Sequence, residues 1–235
     1  MSVAEALARA FAQLSDPAFR RVLWRGVGVA FCAYVGILAA VYAGFQYAPV
    51  PEGWIGTTIL AFGGLAAFAL ITVLFPVLIT ACMGLFLDEV ATAVERRHYP
   101  GLPPGREPPL PVQLVGAVKF LALSLTLNAL ALPLYIAGLF FYPLKLFVFY
   151  TLNGYLLGRE FFDQVAQRYV APTERRELRR AMRLQRIMAG LAIAVLFSIP
   201  VLNLAVPLIA TATMVHLILG PVADRVGGSA AVEER

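Results

Sequence analysis

The stretch Thr151–Gln164, TLNGYLLGREFFDQ, decides the fold. An asparagine–glycine pair interrupts an apolar run, and Arg159-Glu160 then ends it. The uncharged residues leading into that end, Leu146 to Gly158, are too few to cross a bilayer comfortably, since a spanning helix needs about 20 apolar residues. So short a membrane-like segment reads as one arm of a hairpin whose two ends share a side. Asn153-Gly154 then marks where a small residue permits close helix packing and an amide can bond across to its neighbour. Arg159 and Glu160 mark the exit to water, with Asp163 four residues after Arg159, the spacing of a helical ion pair.

The composition places this arm in a membrane protein. The chain has 235 residues, 60% hydrophobic and 14% charged, with a mean hydropathy of +0.78. Soluble domains carry roughly 25% charged residues. Gly26–Pro51, Gly53–Leu87, Phe120–Leu144 and Ile187–Ala223 contain no Asp, Glu, Lys or Arg, and each is longer than a spanning helix requires. The net charge of +5 comes from basic residues that flank these runs. They read as topology signals and contacts to anionic membrane lipid, and no groove-reading motif points to nucleic acid. Cys32 and Cys82 lie inside apolar runs without CxxC spacing, so neither a disulfide framework nor a zinc site is implied.

Around these runs the chain reads as a single membrane domain over 1–235. Residues 1–14 carry Val3, Ala6, Leu7, Ala10, Phe11 and Leu14 at helical spacing, with Ser2 and Glu5 as a capping box. That pattern predicts an amphipathic surface helix. Ser15-Asp16-Pro17 is a helix-start signature, opening a long helix over 18–47. After a turn at 48–53, a second long helix is expected over 54–97, kinked at Pro76. Six prolines in 100–111 exclude a helix there and predict a stiff cytoplasmic linker. A first hairpin over 112–158, a cytoplasmic basic segment over 159–186 and a second hairpin over 187–223 complete the chain. The basic segment has eight arginines against four acids. Arm lengths favour two long transmembrane helices followed by two re-entrant hairpins, with a plain six-helix bundle as the alternative. Either is an all-α integral membrane protein, and the arginine distribution puts both termini in the cytoplasm.

Catalytic chemistry finds no support. There is no nucleophile elbow, Walker A loop or HExxH, and no carboxylate pair inside an uncharged run. No catalytic residue, metal ligand or cofactor is expected. His216, alone on an apolar helix, reads as a hydrogen-bonded structural residue. Coupled pumping needs acidic or histidine relays in the membrane; Asn128, Asn153, Asn203 and His216 fit passive movement better. The sharper candidate is Ser15–Arg21, where a helix start presents free N–H donors and Arg20 and Arg21 can add charge-assisted bonds to an oxyanion. The competing reading is that these arginines snorkel and set topology. Lys145, beside Pro143, either snorkels at a hairpin tip or lines an anion path.

Asn153-Gly-Tyr-Leu-Leu-Gly-Arg-Glu-Phe-Phe162, Asp16-Pro-Ala-Phe-Arg-Arg21 and the order of elements resemble the CysZ-type sulfate permease / etoposide-induced protein 2.4 family. The resemblance covers nearly the whole chain. It implies long spanning helices, hemi-penetrating hairpins, a homo-oligomer and, from some bacterial members, sulfate uptake for cysteine synthesis. The family's sulfate-binding stretch is Gly-Leu-Arg-Arg-like, and Ala18, Phe19, Arg20 and Arg21 stand at the matching positions. Both arginines match; alanine replaces the glycine and phenylalanine the leucine, and the Cβ at position 18 crowds a close backbone approach. The expected function is an oligomeric inner-membrane permease for sulfate or a similar oxyanion, with Asn153, Asn203 and Lys145 lining the path. A non-transporting membrane scaffold or remodelling protein is the alternative, and a membrane enzyme a distant third.

Overall fold

The computed structural model describes residues 1–47, 53–84 and 86–233. The turn at 48–52, Leu85, the last two residues and the side chain of Pro76, where the kink was expected, lie outside the described residues. Among those described the chain is all helical: α1 Val3–Ala12, α2 Pro17–Gln46, α3 Trp54–Gly84, α4 Leu87–His98, α5 Leu110–Phe140, α6 Tyr142–Ala166, α7 Pro172–Ala181, α8 Arg183–Phe197, α9 Pro200–Asn203 and α10 Val206–Glu233. A 3-10 turn, Gln13–Ser15, follows α1. The helices form two compact units, residues 20–86 and residues 1–19 with 87–235.

The smaller unit is a pair of apolar helices. Tyr34 of α2 meets α3 twice, through its hydroxyl 3.4 Å from Thr72 Oγ1 and through its ring, 4.8 Å from that of Phe75. Further along, a Cβ on Gly63 would lie 3.1 Å from the Phe45 ring. Thr57, Thr58 and Thr72 return their hydroxyls to the carbonyls four residues earlier, which satisfies these donors on an apolar helix. Large side chains such as Trp24, Phe62 and Leu65 remain exposed.

The larger unit is built around α10. Every residue from Val206 to Gly220 is buried, by α1, α4, α6 and α8, which pack on it. A helix apolar on all sides must be covered all round. Among the described residues three helices are long and apolar enough to cross a membrane: Pro17–Gln46, Pro111–Phe140 and Val206–Ala223. Their surroundings differ: protein covers 83% of the α10 window, against 11% in α2 and 6% in α5. The bare apolar sides of α2 and α5 need lipid or another chain; α10 is already solvated by its own fold.

Several expectations change in detail. The helix predicted over 54–97 is two helices, the first ending at Gly84 and the second beginning at Leu87. The charged second piece, α4, does not simply project into water. Its Leu87, Val90, Ala91 and Val94 form a buried stripe at helical spacing, and α4 packs on α10. Acids in its first turn and Arg96, Arg97 and His98 in its last complement the helix dipole. Half of the capping box is present: Ser2 Oγ accepts the Glu5 N–H at 3.2 Å, while Glu5 Oε1 accepts from Arg9 at 2.8 Å. The apolar stripe of α1 faces inward, with Ala6 and Ala10 fully buried where α1 packs on α10.

The opening stretch forms the centre of α6, which does not end at Arg159-Glu160 but runs on to Ala166. Asn153 does not bond across the interface. Its Nδ2 donates to its own helix, to Phe149 O at 2.8 Å. The glycines carry the crossing: a Cβ on Gly154 would lie 2.6 Å from Leu191 Cδ2 of α8, and one on Gly158 would overlap the Arg186 carbonyl.

Candidate functional site

Helix α2 begins where proline follows Asp16, whose extended backbone (φ −71°, ψ 136°) suits the residue before a proline. The Asp16 carboxylate pairs with Arg97 Nη1 at 2.6 Å. An acid that would repel an anion from this helix start is thereby partly neutralised. Ala18 is exposed and Phe19 is buried. Arg20 and Arg21 are exposed, and among the described residues no ion pair engages either one. Two uncompensated cations within the opening turns of a long apolar helix add to the positive end of its dipole.

The other three sequence candidates lie apart from this helix start in sequence and element. Lys145 is exposed in the second turn of α6. The tight α5–α6 corner requires Gly138, where a Cβ would lie 2.8 Å from Lys145 Cβ. Asn153 is half-buried on α6, and Asn203 is half-buried at the end of α9. No hydrogen bond joins Asn153 to Asn203 among the described residues. In the smaller unit, Arg25, Gly28, Val29, Cys32 and Phe86 line a shallow, open and almost wholly apolar groove.

Two buried polar clusters went unread in the sequence. Arg168, 4% exposed, donates to Asp88 Oδ1 at 2.6 Å, to Thr92 Oγ1 at 2.9 Å and to Glu95 Oε1 at 3.2 Å. Tyr169 donates to the same Glu95 oxygen, and Glu95 Oε2 accepts the Gly105 N–H at 3.1 Å. The Arg106 N–H closes the set on Arg168 O at 2.9 Å. The proline-rich linker is therefore bonded to α4 and to the end of α6. Burial lowers the Arg168 pKa, but the bond to Asp88 and the charges of Glu95 and Asp88 outweigh it, and the balance is upward. Burial, then the bond to Glu95, pushes the Tyr169 hydroxyl up.

The second cluster surrounds His216, which is fully buried. Gln13 Nε2 donates to His216 Nε2 at 2.9 Å. That leaves the ring proton on Nδ1, facing Tyr99 Oη at 2.7 Å. The His98 ring stands edge-on, 5.2 Å away. His216 is thus the hydrogen-bonded structural residue its sequence context suggested. Among the described residues no three His, Cys, Asp or Glu side chains cluster as metal ligands would.

Long apolar helices, two of them bare of protein, define an all-α integral membrane protein. The family model described as sulfate transporter CysZ/etoposide-induced protein 2.4 matches residues 6–207. The chain belongs to this family. No curated protein matches it.

Proposed function

We propose that this protein is an oligomeric inner-membrane permease for sulfate or a similar oxyanion, passive and without an enzymatic step. The family match over residues 6–207 carries the reading. The unpaired Arg20 and Arg21 at the helix start support the choice of an anion. Free amides of the first turn, around Ala18 and Phe19, together with two guanidinium groups suit a tetrahedral oxyanion, which accepts several donors at once. Asn153, Asn203 and Lys145 line the path beyond, and both termini face the cytoplasm. Anionic lipid meets the basic flanks.

A non-transporting scaffold is the second reading, and one observation favours it: the arginine-rich α7 has no buried residue, as expected of a helix lying on anionic lipid. Sulfate uptake into proteoliposomes, compared between wild type and Arg20→Ala/Arg21→Ala, separates the two. The permease predicts uptake that falls about tenfold or more when both charge-assisted contacts are lost. Equal uptake in both would remove these arginines from the site.

A further inference from the structure

The close crossing of α6 and α8 has an electrostatic consequence. Because Gly158 has no side chain, the Arg186 backbone rests directly on α6, beside Arg159. Arg186 is 8% exposed, its guanidinium carbon is 5.8 Å from the centre of the Tyr155 ring, and its Nε is buried without a hydrogen-bond partner. Helix α7 adds two more arginines. Arg179 Nη1 reaches Asp163 Oδ2 at 3.0 Å, while Arg159 Nε stands 3.7 Å from the same oxygen. Arg175, within electrostatic range of Asp163 and Arg179, also has a buried Nε without a partner.

Arg159 and Arg179 thus approach one oxygen of Asp163, Arg175 and Arg186 lie within electrostatic range of the same carboxylate, and Asp163 Oδ1 is buried without a hydrogen-bond partner. Glu160 is only partly ionised near neutrality, because burial and the neighbouring Asp163 push its carboxyl up to about 7 against the pull of Arg159. Glu174 and Glu177 are exposed on α7. A buried guanidinium cannot shed its proton at any ordinary pH, so it needs a counter-charge and acceptors for its fork. Burial disfavours the Arg186 cation; Tyr155 and Asp163 favour it, Arg179 and Arg159 oppose it, and the balance is downward.

We propose that Arg159, Arg175, Arg179 and Arg186, gathered at the α6–α7–α8 junction, form a second binding site, for a tetrahedral oxyanion. Asp163 pins Arg159 and Arg179 in place, while the orphaned Nε groups of Arg175 and Arg186 supply donors. Sulfate, inorganic phosphate and the phosphate of an anionic phospholipid share the required chemistry: negative charge and several acceptor oxygens. The site is separate in sequence and element from Arg20 and Arg21, so it stands even if that reading of the helix start fails.

Equilibrium binding to the purified full chain in an Arg20→Ala/Arg21→Ala background tests it. One arm uses radiolabelled sulfate, a second inorganic phosphate in detergent, and a third phosphatidylglycerol against phosphatidylcholine in nanodiscs. At least one anionic probe is expected to bind, and Arg175→Gln/Arg179→Gln to weaken it about tenfold or more. Arg176→Gln/Arg180→Gln, on exposed positions of the same helix, removes equal charge and should leave binding unchanged. Preference for phosphatidylglycerol without free-anion binding identifies a lipid site, and free-anion binding identifies a solute site. Absence of binding in every arm, or equal loss in both glutamine pairs, overturns the proposal. Melting temperatures close to that of the background protein confirm that each variant is folded.

Discussion

Gly190 of α8 and Gly158 of α6 are in direct backbone contact: a Cβ on Gly190 would lie 2.6 Å from the Gly158 Cα and would overlap the Gly154 carbonyl. The helices therefore meet at a small-residue seam, Gly154 and Gly158 one turn apart facing Gly190 between them. Backbone cannot yield as a flexible side chain does, so the crossing must widen to admit a methyl group. Gly190→Ala is expected to destabilise the protein by about 1–3 kcal/mol. A control at Gly116, where a Cβ would meet nothing within 4 Å, should change little. Thermal unfolding in detergent compares them.

Arg168 holds the linker, α4 and the end of α6 through one guanidinium. Arg168→Ala leaves Asp88 and the buried Glu95 without their cation, a loss of about 3–5 kcal/mol. Arg168→Lys should recover only part of it, since an ammonium lacks the planar fork that spans three acceptors. Limited proteolysis of the linker near Gly105 reads the same event: cleavage should accelerate in both variants, more in the alanine one.

His98 gives a pH dependence of known sign. Burial, then Arg97, holds its pKa below the ordinary 6.5, with Asp16 opposing and Arg9 adding to the depression. A depressed histidine contributes stability above its unfolded value, and that stability is lost as pH falls through the folded one. Between about pH 7.5 and about pH 5.5, which bracket histidine's ordinary value, wild type should lose more melting temperature than His98→Gln. Equal losses would show that His98 is not the group responsible.

The hairpin tips can be placed by labelling. With both termini cytoplasmic and re-entrant arms, a cysteine at Ile199, exposed at the start of α9, should resist an impermeant thiol reagent added outside intact cells. The labelling is done in a Cys32→Ser/Cys82→Ser chain. Rapid labelling from outside would mean that α8 and α10 cross fully, as in the six-helix alternative.

What the sequence disclosed was local. The Ser2–Glu5 cap, the proline start of α2 and the uncharged runs each depend on neighbours along the chain, and each is present. Gly154 could be picked out as a packing residue because it stands beside Asn153. Its partner Gly190, inside Ala189-Gly-Leu-Ala192, resembles any small residue of an apolar helix. Arg168 joins acids 73 and 80 residues away, and no spacing rule reaches that far. The same holds for Asp16, whose carboxylate pairs with Arg97 on α4. The end of α3 at Gly84 had only that glycine as a cue. Helix α6 continues through the charge at Arg159-Glu160 because one face, Phe161, Phe162 and Val165, stays buried.

Sulfate flux through the purified protein tests the central claim most directly. Liposomes containing the wild-type chain are given an outward-to-inward gradient of radiolabelled sulfate, with no nucleotide, proton gradient or sodium gradient. A passive permease predicts uptake well above that of empty liposomes, saturating as the gradient dissipates, and competed by other tetrahedral oxyanions more than by chloride. Uptake no greater than in empty liposomes, from protein shown to be folded and inserted, would contradict it.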